Sequence, residues 1–188
     1  MEFSKAQDSV SAGLIANPQH TEAVGAGGVY MVECVGSDGQ VKWADTFHNL
    51  VMNGGVQDMN TQYFKGSSYS PTFYLGLVTG PGSGTTYAAA DTLASHSGWT
   101  ENTSYAGSRK TVTFGTATTA NPSVITNSSS PSSFVMNATT TIAGAFLCTV
   151  ASGTSGVLFS AGDFTGGDKS VASGDSLNVT YTFSLTAT

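Results

Sequence analysis

Near the C-terminus, apolar and polar residues take strict turns. Leu177, Val179, Tyr181, Phe183 and Leu185 alternate with Asn178, Thr180, Thr182 and Ser184. A period of two puts one set on each face of a strand, so this segment predicts a half-buried antiparallel strand. Two other runs are apolar without alternation: Phe73 to Val78 (FYLGLV) and Ile142 to Val150 (IAGAFLCTV). Such runs, bounded by turn residues, predict strands buried on both faces. Val29 to Val35, the turn Gly36-Ser37-Asp38-Gly39 and Val41-Lys42-Trp43 read as a hairpin. Val112 and Phe114 alternate with threonines, and Phe134 and Met136 stand in a similar alternation. Val157 to Phe159 is a short apolar piece.

One segment follows the helical period. Val56, Met59, Tyr63 and Phe64 share a face at i, i+3, i+7 and i+8, between Asn53 as a start and Gly66 as a stop. The spacing predicts one short helix over 56–64, and a further helical turn is expected within Asp91–Trp99. Thr79 to Thr86 is a turn-rich loop. Thr116 to Ser133, rich in Thr, Ser, Asn and Pro, reads as a loop or exposed hairpin tip. The fold class that follows is all-β: an antiparallel β-sandwich or jelly-roll-like domain over residues 29–188, with one short helix. Residues 1–28 carry few large apolar side chains and end in Gly25-Ala26-Gly27-Gly28. They read as an extended N-terminal arm on a glycine hinge.

Composition changes this picture in one respect. Charged residues make up 10% of the 188, far below the usual quarter, while ten Phe, seven Tyr and two Trp supply a core. A chain with so little charge suits a surface covered by neighbours. The net charge is −6 and the six Lys and Arg are scattered, so no basic stripe is available for nucleic acid. No run of about eighteen apolar residues exists to cross a membrane as a helix. The opening MEFSKAQDSVSAG has no apolar stretch of the kind a secretory leader needs.

Candidate chemistry is sparse. Asp91, Ser95 and His96 hold the residue types of a hydrolase triad, but adjacent Ser and His do not present a hydroxyl to a ring nitrogen, and no nucleophile elbow surrounds them. In Gly166-Gly167-Asp168-Lys169-Ser170 an aspartate interrupts the phosphate-loop pattern, and a strand-like segment follows. Asp163, Asp168 and Asp175 lie among glycines without calcium-loop spacing and read as solvated turn aspartates. Cys34 and Cys148 read as buried thiols, with no zinc spacing. His48 reads as a structural histidine and Trp99 as core. The N-x-[ST] triplets at Asn102, Asn127, Asn137 and Asn178 are read as chance in a Ser/Thr-rich chain. No catalytic, cofactor or metal residue is therefore assigned.

The segments Trp43 to Val51, Phe73 to Val78, Asp91 to Glu101, Gly144 to Thr149 and Phe164 to Leu185 together resemble small virion structural proteins of tailed bacteriophages. The likeness covers residues 29 to 188. It implies a non-enzymatic capsid decoration (cement) protein or a head-fibre type, oligomeric in the particle. Its implied partners are the major capsid protein and neighbouring copies of itself. The implied location is the virion, on the capsid surface, after assembly in the bacterial cytoplasm. A tail or fibre component touching the host through the loops 79–86 and 116–133 is the alternative, weakened by loops built of Gly, Ser and Thr. On this reading the arm docks on another subunit, with Phe3, Leu14 and Ile15 as anchors.

Overall fold

The computed structural model describes residues 23–66, 71–80 and 85–187. The strands are β1 (Val24–Val35), β2 (Val41–His48), β3 (Leu50–Val51), β4 (Phe73–Thr79), β5 (Thr100–Asn102) and β6 (Lys110–Val112). They continue with β7 (Ser123–Thr126), β8 (Ser132–Val135), β9 (Thr140–Cys148), β10 (Leu158–Asp163), β11 (Lys169–Val171) and β12 (Ser176–Ala187). One helix, α1, spans Asn53–Lys65. Two antiparallel sheets pack face to face, as the alternation predicts. The first runs β2-β1-β12, with β7 and β8 both on the far edge of β12. The second runs β3-β10-β9-β4, with β5 and β6 on β4 and β11 on β9.

Period-two alternation makes the interior. Tyr30, Val32 and Cys34 of β1 and Leu177, Val179 and Tyr181 of β12 are fully buried, facing Leu75, Leu77 and Leu147 of the second sheet. A polar chain threads this apolar layer. The Tyr30 hydroxyl meets Ser160 Oγ at 2.8 Å, Ser160 Oγ meets the Tyr181 hydroxyl at 3.3 Å, and Asn49 Nδ2 donates to that hydroxyl at 2.9 Å. Each buried hydroxyl thus has a partner, which removes the cost of leaving it dry and unpaired.

The continuous runs in β4 and β9 are explained by a second apolar layer. Phe146, Val78, Ala143 and Cys148 point to the opposite side of the second sheet, where Leu93 and Trp99 of the long connection before β5 cover them. The sheet is therefore buried on both faces.

Three expectations differ from what is found. Strand β1 begins at Val24, so Gly25 to Gly28 are paired with β12 through Val24↔Ala187 to Gly28↔Phe183, and they are sheet rather than hinge. Gly28 is needed there because a Cβ would lie 2.5 Å from the Tyr181 hydroxyl. The Ser/Thr-rich stretch 116–133 contributes β7 and the start of β8, both held by β12. Asp91–Trp99 contains a Thr92↔Ser95 bridge and no helix.

Candidate functional site

Most of the residues singled out for chemistry are engaged in holding the fold. Asp91 Oδ2 accepts from the Trp99 indole N–H at 3.1 Å and from the Ala88 amide at 3.1 Å. His96 stacks on the Trp99 ring at 3.9 Å, and its Nδ1 lies 2.9 Å from the Trp99 carbonyl. The Ser95 amide bonds Thr92 Oγ1. The aspartate is thus turned to the indole and not to the imidazole. Trp99 itself is buried, as core.

The glycine turn at 166–167 is anchored on Asp45. Its carboxylate accepts the amides of Thr165 and Gly166 at 3.2 Å each and pairs with Lys169 at 3.4 Å. Strand β11 follows it. The three turn aspartates do not meet at one point. Asp163 accepts from the Tyr87 hydroxyl at 3.1 Å, and burial together with Asp168 raises its pKa. Asp175 lies elsewhere, at the turn before β12. Among the described residues no three His, Cys, Asp or Glu side chains converge as metal ligands. His48 is exposed and Trp43 is half-buried against Phe164. Asn102 and Asn127 are buried and bonded inside the fold, while Asn178 lies within β12.

Asp175 is 1% exposed, and it staples the first hairpin to the turn before β12. Its carboxylate accepts from Lys42 Nζ at 2.8 and 2.9 Å and from the Ala172 amide at 2.9 Å, with Cys34 Sγ at 3.8 Å. The Lys42 hydrogen bond, then the Ala172 amide, hold its pKa below the ordinary carboxylate value. Burial, then the Asp175 charge, push the Cys34 thiol up to about 11. For a carboxylate with a depressed folded pKa, the added stability is present above the unfolded value of about 3.9 and is lost as pH falls through the folded value. The denaturant midpoint of the wild type should therefore drop on acidification below pH ~4. Asp175→Asn should be less stable at neutral pH and show a shallower acid decline. Equal acid slopes would remove this role from Asp175.

What stands open on the surface is apolar. The shared face of α1 is largely uncovered: Tyr63 is 83% and Phe64 76% exposed, and Val56 is 43%. The cause lies in the first turn. A Cβ on Gly55 would sit 2.6 Å from the Phe159 carbonyl, so the helix touches the sheet through backbone at its start and stands off along its length. Met59 alone of the four packs against the core. The pair Gly54-Gly55 was the sequence clue to that close approach. The start of α1 follows Met52, which offers no capping side chain, so Asn53 is the first helical residue and not the cap.

A groove of about 1180 Å³ results between α1 and the end of the first sheet. Val51 and Met59 line it, with Val56 and Tyr63 on the helix side and Val24 and Leu185 on the sheet side.

A second surface is the outer face of the first sheet. The register places Val29, Met31 and Glu33 beside Thr182, Thr180 and Asn178, flanked by His48, Thr46 and Ala44 on β2 and by Thr126, Ser133 and Val135 on β7 and β8. Among these described residues Glu33 is the only acidic or basic side chain apart from His48. Met31 and Val135 are about half exposed, at 49% and 50%. The expected anchors Phe3, Leu14 and Ile15 lie outside the described residues. Comparison with protein-family models, with curated proteins and with solved structures finds no match for this chain.

Proposed function

We propose that this chain is a structural virion protein of a tailed phage, a decoration protein that binds and stabilises the assembled capsid shell and catalyses nothing. The observation that carries the reading is the outer face of the first sheet, a broad surface of Thr, Ser, Val and Met with Glu33 as its one carboxylate. Charge is depleted where protein surfaces are covered, and a strand face with so little charge suits contact with the major capsid protein or a neighbouring copy. The mechanism is mass action. A subunit that binds the closed shell and not its dissociated parts stabilises the shell by its binding free energy. Many copies add weak contacts into a strong one.

The test is the chain's position in intact particles. Density for this fold on the head surface is the expected result, with the outer face of the first sheet towards the shell. Position on the tail would replace the reading with a host-contacting component. Met31→Lys should weaken shell binding at least tenfold while leaving the unfolding midpoint unchanged, because it places a charge in the contact and none in the core. Shell binding unaffected by that charge would move the contact to another face.

A further inference from the structure

The groove beside α1 is an unfinished end of the core. Val24, Ala26 and Leu185 follow the same alternation that sends Tyr30, Tyr181 and Phe183 inward, and Ala26 pairs with Leu185 across the two strands. They face the interior side of the sheet, yet Val24 is 72% exposed and Leu185 38%. Leu50 and Val51 of β3 line the groove with them, and on its helix side Val56, Tyr63 and Phe64 of α1 stay exposed. Apolar walls on both sides, uncovered among the described residues, form a surface that water disfavours.

The chain itself has a segment of the right kind, at the right place. Residues 1–22 lie outside the described structure and join it at Ala23, next to Val24 on the groove's rim. They include the apolar cluster Val10, Leu14 and Ile15, with no charged side chain between Ser9 and His20. Residues 16–23 connect that cluster to the rim. At ~3.3–3.6 Å per residue they reach up to roughly 28 Å. We infer that residues 10–15 fill the groove of their own chain, with Val10, Leu14 and Ile15 between α1 and the ends of β1 and β12. A tether this short presents the segment at an effective concentration of order mM, which a second copy in dilute solution does not match. This moves Leu14 and Ile15 from the neighbouring subunit, where the sequence reading put them, to the chain's own groove. Phe3 remains free to reach further. The pairing concerns the isolated chain and holds or fails whether or not the chain binds a shell.

The test uses the full chain carrying Ser11→Cys and Asn60→Cys, which leave the apolar residues of both partners in place. Cys34 and Cys148 are buried and do not compete for a short bismaleimide cross-linker. The expected product at low protein concentration is an intrachain bridge: monomer mass on a denaturing gel, with a cross-linked peptide joining positions 11 and 60. A covalent dimer joined at the same positions would show a second copy in the groove and overturn the inference. Absence of any 11–60 link would overturn the arm as occupant. As a second readout, Leu14→Asp with Ile15→Asp should raise the fluorescence of an apolar dye at least threefold, and adding Val56→Ser and Phe64→Ser should return it to the starting level. Unchanged dye binding in the arm variant would equally overturn it.

Discussion

Arg109→Met is expected to cost about 3 kcal/mol of folding stability, although the residue is part of neither candidate contact surface. The Arg109 side chain is 4% exposed. Its Nε and Nη2 donate to the two Glu101 carboxylate oxygens at 2.8 and 2.7 Å, a bidentate pair. Its Nη1 donates to the carbonyls of Val150 and Gly153 at 3.2 and 3.0 Å. Its guanidinium lies 5.2 Å from the Phe146 ring centre. One side chain thus joins β5, the turn after β9 and the outer apolar layer. Burial is the largest influence and opposes the charge; the Glu101 hydrogen bonds, together with the fields of Cys148, Glu101 and Tyr105, outweigh it. Removing the guanidinium takes a donor from two carbonyls, of which Val150's keeps the Cys148 thiol, and leaves Glu101 unpaired. Breaking a buried pair from one side costs about 3–5 kcal/mol; Glu101 is 25% exposed and water can reach it, so the lower figure applies. Arg109→Lys keeps the charge and loses the fork, and should recover less than half of the loss. Urea midpoints at unchanged m-value are the measurement. A loss below ~1 kcal/mol would mean that solvent already satisfies these groups.

Arg109 also marks where sequence reading stops. Its partner Glu101 lies on β5 while Arg109 precedes β6, and nothing in the local pattern around Arg109-Lys110 announces burial. The long strands were legible for the opposite reason. Alternation in β12 and unbroken apolar runs in β4 and β9 are local patterns that report directly on one or two buried faces. Strand β7 and the start of β8 were hidden because both strands are four residues long and rich in Ser and Thr, residues that also fill loops. Their strand state comes from pairing with β12, a tertiary contact. The start of β1 was hidden by glycines that were read as a hinge, of which close packing requires Gly28. The helix was legible as a helix, but its exposed face was not, because periodicity reports which residues share a face and not what lies against it. The groove follows from that same gap: each of its walls is an apolar pattern whose cover the pattern does not name.

Gly76 and Phe146 should behave as one unit in a double-mutant cycle. They are direct partners across β4 and β9. Phe146 is fully buried, with its ring over Gly76; a Cβ on Gly76 would sit 2.2 Å from the ring's far carbon. The ring cannot swing away easily, because Trp99 holds it at 5.3 Å and the Arg109 guanidinium lies on another side. Gly76→Ala therefore overpacks a fixed site and should cost about 1–3 kcal/mol or more. Phe146→Ala leaves a void beneath Trp99 and should cost about 3–5 kcal/mol. In the double variant the new methyl meets no ring, so the overpacking penalty vanishes while the void is partly filled. The expected total is close to that of Phe146→Ala alone, and well below the sum of the singles. The coupling should be about 1–3 kcal/mol in the favourable direction. Simple additivity would mean that the ring leaves its place when Gly76 is changed, and that the outer apolar layer is looser than its contacts with Trp99 and Arg109 imply.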